Sequence, residues 1–166
     1  MSLLKFGTTT YLRDPRRLAD LIAAIQVLGT YKFSSRPADR WLKRLGRKPV
    51  SASTWVDVFQ EHPEFFTKDD LGLISLVWRR NKERNYDTYT GCIVTREVAF
   101  ELKESDPEPM ASRLSRPPLD SDEISKLIDI AISLHEREIK HQQERHWWYT
   151  AIIAAAGVVV SLLSLG

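Results

Sequence analysis

Hydrophobic residues recur at helical spacing in three segments near the start of the chain. The segments lie at 14–29, 34–46 and 51–63, and each begins with a residue that favours helix N-termini and ends at Gly or before Pro. We therefore predict three short helices. Their apolar positions are, in order, Leu18, Leu21, Ile22, Ile25 and Leu28; Trp41, Leu42 and Leu45; and Trp55, Val56, Val58 and Phe59.

The hydrophobic pattern then changes from helical spacing to alternation. Residues 64–67 predict a short strand, residues 68–70 a turn, and residues 71–79 a second strand, in which Ile74, Leu76 and Trp78 share one face. Three short helices followed by a β-hairpin resemble the winged-helix superfamily over residues 14–80. The resemblance implies either a DNA reader or a protein-interaction module, because this fold serves both functions.

The second half of the chain predicts a long helix that follows a proline-rich linker. Four prolines fall within residues 106–118, and an apolar stripe then recurs at helical spacing. The stripe consists of Ile124, Leu127, Ile128, Ala131 and Leu134. We divide the chain into a soluble domain (1–104) with a C-terminal extension, a linker (105–119), an amphipathic juxtamembrane helix (120–146) and a final apolar segment (147–166).

Residues 147–166 contain no charged side chain. A helix of this length spans about 30 Å, which matches the hydrocarbon core of a bilayer. Arg145, Trp147, Trp148 and Tyr149 stand at its start, where basic and aromatic side chains favour the membrane interface. The alternatives are a buried core helix and a shorter or tilted insertion. We predict a single-pass tail anchor with the N-terminal domain in the cytoplasm.

The predicted fold class is therefore mainly α with a small β-hairpin (α+β). It comprises a winged-helix-like domain followed by a long helix that continues into a single C-terminal transmembrane helix. Small or hydroxyl residues recur every 3.5 residues in the last segment, and such stripes let membrane helices pack closely. The stripe, which predicts a homo-oligomer in contact with membrane lipid, consists of Thr150, Ala154, Gly157, Ser161 and Ser164.

Charge is concentrated in one place although the net formal charge is only +2. A balance this small gives no global signature of a polyanion-binding protein. A basic cluster on the predicted second helix is formed by Arg36, Arg40, Lys43, Arg44, Arg47 and Lys48. Its face suits anionic lipid, an acidic protein or phosphates, and a merely solvated helix face is the alternative.

Residue types that carry catalysis are sparse. The sequence lacks a glycine-rich phosphate loop, a paired-histidine metal motif and a Gly-x-Ser-x-Gly motif. The one cysteine, Cys92, excludes an internal disulfide and a multi-cysteine metal site and fits a reducing compartment. We predict a protein that is not an enzyme and has no catalytic residue, bound metal or cofactor.

The charge of the predicted third helix disfavours binding to nucleic acid. DNA-reading winged helices place basic and amide side chains of this helix in the major groove. Here it offers Asp57, Gln60 and Glu61, with no Lys or Arg, so phosphates would be repelled. We predict a non-enzymatic single-pass membrane protein whose cytoplasmic domain binds a protein partner. The alternative is a self-assembling, pore-type effector of a bacterial defence or toxin-like system, and a membrane-tethered DNA-binding regulator is third.

Overall fold

The computed structural model describes the backbone of residues 10–104 and 113–163 and the side chains of residues 11–104 and 113–144. Within these ranges the chain forms a 3₁₀ turn at Thr10–Leu12, six helices and six short strands. The helices are α1 (Arg17–Thr30), α2 (Ala38–Leu45), α3 (Trp55–Glu61), α4 (Val77–Arg80), α5 (Arg96–Glu104) and α6 (Ser121–Leu163). The strands are β1 (Ser35–Pro37), β2 (Phe66–Lys68), β3 (Leu73–Leu76), β4 (Tyr86–Asp87), β5 (Cys92–Ile93) and β6 (Leu114–Ser115).

Local capping is present at the end of α2 and at the start of α3. α2 ends at Gly46, whose φ of 71° places it in the left-handed region that favours glycine. α3 begins with a capping box in which Thr54 and Asp57 bond each other's backbone N–H groups, at 3.3 and 2.8 Å. The predicted helical segment begins at residue 51, so its cap is shifted to Thr54.

The first sheet has the strand order β1-β3-β2, with both pairs antiparallel. Ser35 lies opposite Ser75, and Phe66 lies opposite Leu76. The predicted cap of the second helix, Ser34-Ser35, instead leads into β1, because Pro37 holds an extended backbone (φ −59°, ψ 153°). The predicted second strand of the hairpin ends at Leu76, since the chain turns into α4 there.

The second sheet has the order β5-β4-β6. β6 lies in the segment predicted as a linker, and its Leu114 and Ser115 are both buried. The backbone N–H of Ser34 donates to the Ser115 hydroxyl at 2.9 Å, which joins this sheet to the residue just before β1. The two sheets are therefore connected through buried polar contacts between residues far apart in the sequence.

The hydrophobic core lies between α1, α2, α3, the first sheet and the start of α6. Its largest fully buried side chains include Trp41 and Trp55. α6 packs along α1 through Leu127 and Ala131, which are 1% and 0% exposed. The two helices approach closely at Gly29, because a Cβ there would lie 3.3 Å from Ile124. The amphipathic helix predicted after the linker is thus docked on the N-terminal domain.

Nothing in the described part of the chain has both the length and the apolar character of a membrane-crossing helix. The predicted transmembrane helix, the tail anchor and the single-pass membrane localisation are therefore wrong. The described side chains of α6 (Ser121–Leu163) include charged residues such as Lys126, Asp129 and Lys140, each of which costs about 2.5–3.5 kcal/mol at the centre of a membrane-inserted helix. These residues precede the predicted span at 147–166, whose side chains lie outside the described part of the chain.

Two sets of predicted membrane residues fall beyond the last described side chain, Glu144. The structure gives their backbone as α6 up to Leu163 and nothing of their side chains. They are the interface set Arg145, Trp147, Trp148 and Tyr149, and the self-association stripe Thr150, Ala154, Gly157, Ser161 and Ser164.

Candidate functional site

Two arginines of the predicted basic cluster stack on aromatic rings. The Arg36 guanidinium lies 4.5 Å from the centroid of Phe33 and 5.3 Å from that of Tyr31, and Arg44 lies 4.6 Å from Tyr31. Arg36 Nη1 also donates to the Tyr31 hydroxyl at 3.3 Å. Tyr31 is itself held edge-on against the buried Trp41, with centroids 5.8 Å apart. We call Tyr31, Phe33, Arg36 and Arg44 the arginine–aromatic face.

The other members of the cluster do not belong to this face. Arg47 forms an ion pair of 3.3 Å with the buried Asp20 and lies 5.9 Å from the ring of Trp55. Arg40 is exposed and lies 3.8 Å from its neighbour Asp39. Lys43 and Lys48 are exposed, and no ion pair among the described residues includes them. The predicted six-residue face is thus divided into two stacked arginines, one structural arginine and three solvated cations.

Phe33 also lines a cavity of about 240 Å³ that lies between the two sheets. Three arginines line it: Arg80 at the end of α4, Arg84 in the following loop, and Arg116 just after β6. Arg116 Nη1 donates to the carbonyls of Arg80 and Lys82, and Arg84 Nε donates to the carbonyl of Leu114 at 3.1 Å. These bonds to backbone oxygens orient the side chains and leave their positive charges uncompensated.

Four serines and one aspartate complete the polar lining of this cavity. The hydroxyls of Ser34 and Ser115 are 3.3 Å apart and bonded to each other. Ser35 and Ser75 form a directly opposed pair across β1 and β3. Asp69 Oδ1 accepts from the backbone N–H groups of Leu71 and Leu73, at 3.1 and 2.8 Å, and so fixes the hairpin turn. We call this cavity, with Arg80, Arg84, Arg116 and the four serines, the arginine–serine cavity.

An ion pair beside the cavity fixes the second sheet. Arg113 donates from Nε and Nη2 to the two carboxylate oxygens of Asp87, at 2.8 and 2.6 Å. Asp87 is 1% exposed and also accepts from Tyr89 N–H and the Thr90 hydroxyl. The hydrogen bonds from Arg113, with those from Tyr89 and Thr90, hold the pKa of Asp87 far below its usual range, although burial opposes the shift.

The low pKa of Asp87 predicts a loss of stability in acid. A carboxyl group whose pKa is lower in the folded chain stabilises the fold above its unfolded value, about pH 4, and this contribution is lost as pH falls. The difference in free energy of unfolding between the parent protein and Asp87→Asn should therefore be constant from pH 7 to about pH 5 and shrink below pH 4. Urea unfolding at pH 7, 5, 4 and 3 measures it. A difference that stays constant down to pH 3 would contradict this role.

A second polar cluster joins the 3₁₀ turn to the α3–β2 connection. The Tyr11 hydroxyl donates to Glu64 Oε1, which also lies 3.0 Å from Nδ1 of the fully buried His62. Burial, followed by the bond to Glu64 and its charge, raises the pKa of Tyr11 well above its ordinary value. Burial tends to raise the pKa of Glu64, but the bonds from His62 and Tyr11 lower it overall. A protonated phenol and an ionised carboxylate therefore form a stable donor–acceptor pair.

The exposed side of α3 borders an apolar groove of about 330 Å³. Val56, Phe59, Phe66 and Ile74 line it. Its polar groups include Gln60, Thr67 and Lys68. Glu61, at the end of α3, is occupied by ion pairs with Arg13 and with the buried Arg17. This face suits an apolar side chain better than a phosphate backbone.

The chain matches no protein-family model, no curated protein and no solved structure. The resemblance to winged helices therefore stays a prediction. Among the described side chains, those of residues 11–104 and 113–144, no group of three or more His, Cys, Asp or Glu is arranged to hold a metal ion.

Sequence reasoning missed the arginine–serine cavity entirely. Its residues come from four separate segments, at 33–35, 69–75, 80–84 and 114–116. The sequence gives no local signal for it, because Arg80 has Glu83 and Arg84 has Asp87 three residues further along the chain, as ordinary solvated cations do. Only the pairing of β4 with β6 brings Arg116 to the end of α4.

Proposed function

We propose that this protein is a non-enzymatic binding module that holds an acidic segment of a protein partner on its arginine–aromatic face. The observation that carries the proposal is the state of Arg36 and Arg44. Both are stacked on rings within 4.6 Å of a centroid. In the described part of the chain, no ion pair includes either of them.

Stacking prepares the two guanidinium groups for a carboxylate. A planar guanidinium that lies on an aromatic ring keeps its edge N–H groups free to bind carboxylate oxygens in pairs. Because the rings already restrict the arginine rotamers, less conformational entropy is lost when a partner binds. Tyr31 rests on the buried Trp41, so the platform under the arginines is part of the core.

The α3 surface supports a protein partner rather than nucleic acid. α3 has no Lys or Arg, and its Asp57 is used in the capping box. The apolar groove beside α3 suits an aliphatic or aromatic anchor, as protein interfaces commonly contain. The order helix–strand–helix–helix–strand–strand from α1 to β3 also supports a winged-helix-like interaction module. A pore-type effector requires a transmembrane helix and is not proposed.

The proposal is tested by charge removal at two pairs of sites on the same part of the surface. We expect Arg36→Gln with Arg44→Gln to weaken binding of a fluorescein-labelled peptide rich in Glu and Asp by about 10-fold or more, since two cations oriented by stacking contribute about 1.4 kcal/mol or more. The matched control is Arg40→Gln with Lys43→Gln, which removes the same charge from unstacked positions. It should change the affinity less than about two-fold. Fluorescence anisotropy at low salt gives both values.

Three results would contradict the proposal. Equal weakening in the two double variants would mean that net charge, not the stacked pair, governs binding. Tighter binding of a DNA duplex than of the acidic peptide would favour a nucleic-acid partner. Failure of the parent protein to bind the peptide even at low salt, where exposed charges act most strongly, would remove the basis of the proposal.

A further inference from the structure

We propose that the arginine–serine cavity binds a phosphoryl group, so that the partner segment held on the arginine–aromatic face is a phosphorylated one. This inference rests on the proposed function for its choice of a protein-borne phosphate. The charge, hydrogen-bond donors and position of the cavity support an anion site independently of that function.

The positive charge of the cavity favours the binding of an anion. Arg80, Arg84 and Arg116 are brought together with Asp69 as the one acidic residue in the lining. Burial lowers the pKa of Arg116, and repulsion from Arg80 and Arg84 lowers it further. Like charges held this close destabilise one another, and a bound anion would relieve that repulsion. Backbone carbonyls orient Arg84 and Arg116 without neutralising them.

The hydroxyl groups make the cavity fit a phosphate better than a carboxylate. Ser35 and Ser75 lie side by side on β1 and β3, and neither hydroxyl takes part in any hydrogen bond among the described residues. A phosphoryl group carries a charge of about −1.5 to −2 and three acceptor oxygens. Three guanidinium groups and two free hydroxyls provide more donors than the two oxygens of a carboxylate can use. The carboxylate of Asp69 repels any anion, but Asp69 is committed to the hairpin turn and leaves a net charge of +2.

Phe33 connects the cavity with the arginine–aromatic face. Its ring carries the Arg36 guanidinium at 4.5 Å, and the same residue lines the cavity. A segment that places its carboxylates on Arg36 and Arg44 therefore passes the cavity entrance. A phosphoserine or phosphothreonine in that segment reaches inward, and its acidic neighbours stay on the face. The cavity volume of about 240 Å³ is several times the roughly 30 Å³ that one water molecule occupies.

The test compares two acidic peptides of the same sequence, one with phosphoserine and one with unmodified serine, by calorimetric titration of the full chain. We expect the phosphopeptide to bind at least about 10-fold more tightly than the unmodified peptide. Arg80→Gln with Arg84→Gln should abolish that difference and leave the affinity for the unmodified peptide unchanged. Ser75→Ala, which removes no charge, should reduce the difference in part. Lys126→Gln with Arg137→Gln on the exposed side of α6 is the charge-matched control and should leave it intact.

The outcomes separate this inference from the proposed function. Equal affinity for the two peptides, or an equal loss in the α6 control, overturns the phosphoryl site and leaves the arginine–aromatic face standing. If neither peptide binds, the proposed function fails, and titration with inorganic phosphate tests the cavity alone. Phosphate binding that depends on Arg80 and Arg84 then supports the cavity as a site for a free phosphate. Absence of phosphate binding overturns the cavity as an anion site. If inorganic phosphate binds as tightly as the phosphopeptide, the cavity is a site for small anions, and the proposal that its ligand is a protein-borne phosphate is wrong.

Discussion

Arg79→Met is expected to lower the free energy of unfolding by about 3–5 kcal/mol, because it leaves several buried carbonyl groups without a donor. Arg79 is fully buried and donates to five backbone oxygens and no carboxylate. The acceptors are the carbonyls of Leu28, Tyr31, Phe33, Arg116 and Pro117, at 2.6–3.3 Å. Burial lowers the pKa of its guanidinium to about 10, so the group stays charged at neutral pH. Urea unfolding followed by tryptophan fluorescence measures the loss.

The next residue provides the matched control. Arg80→Met removes the same group from an exposed position and should change the stability by less than about 0.5 kcal/mol. Arg79→Lys keeps the charge, but all three N–H donors of a lysine lie on one nitrogen. Lysine therefore cannot reach the carbonyls that lie on different sides of the Arg79 guanidinium, and this variant should lose most of the stabilisation. A loss below about 1 kcal/mol for Arg79→Met would show that water or a rearranged backbone replaces its bonds.

Asp20→Ala is expected to cost about 2–4 kcal/mol, because it removes the acceptor that holds the α2–α3 connection on α1. Asp20 is fully buried, and its Oδ2 accepts from Val50 N–H, Ser51 N–H and the Ser51 hydroxyl at 2.7–2.8 Å. Its Oδ1 lies 3.3 Å from Arg47. The exposed Asp39→Ala on α2 is the control and should be nearly neutral. Thermal unfolding compares the two, and equal melting temperatures would refute the role assigned to Asp20.

Local signals in the sequence were enough for the first three helices and the hairpin turn but not for α4 or β1. α1 and α3 appear where helical spacing predicts them, because the residues of each apolar face lie within a few positions of one another, and α3 also has a local capping box. The hairpin turn is placed correctly at Asp69, which caps the turn with its own side chain. β1 was missed because β3, the strand with which it pairs in the described part of the chain, lies nearly forty residues away, and a pair of serines at 34–35 also suits a helix cap.

The candidate site was predicted in part, and the unpredicted part depends on contacts between distant segments. Charge spacing placed Arg36, Arg40 and Arg44 on one face, but nothing local separates Arg44 from Arg40. Arg44 is stacked and Arg40 is not, because Tyr31 packs against Trp41 and places its ring beside Arg44. The start of the long helix was predicted at residue 120, close to the observed Ser121, but its spacing does not show that it packs on α1 through Leu127 and Ala131.

Salt should act very differently on the fold and on the partner complex. The deepest cation, Arg79, is held by carbonyl dipoles inside the protein, and dissolved ions screen such bonds little. Arg36 and Arg44 instead face solvent, where the attraction for an acidic segment weakens steeply as ionic strength rises. Under the proposed function, moderate salt is therefore expected to release the partner from an intact protein, so that the released chain is recovered folded and ready to bind again.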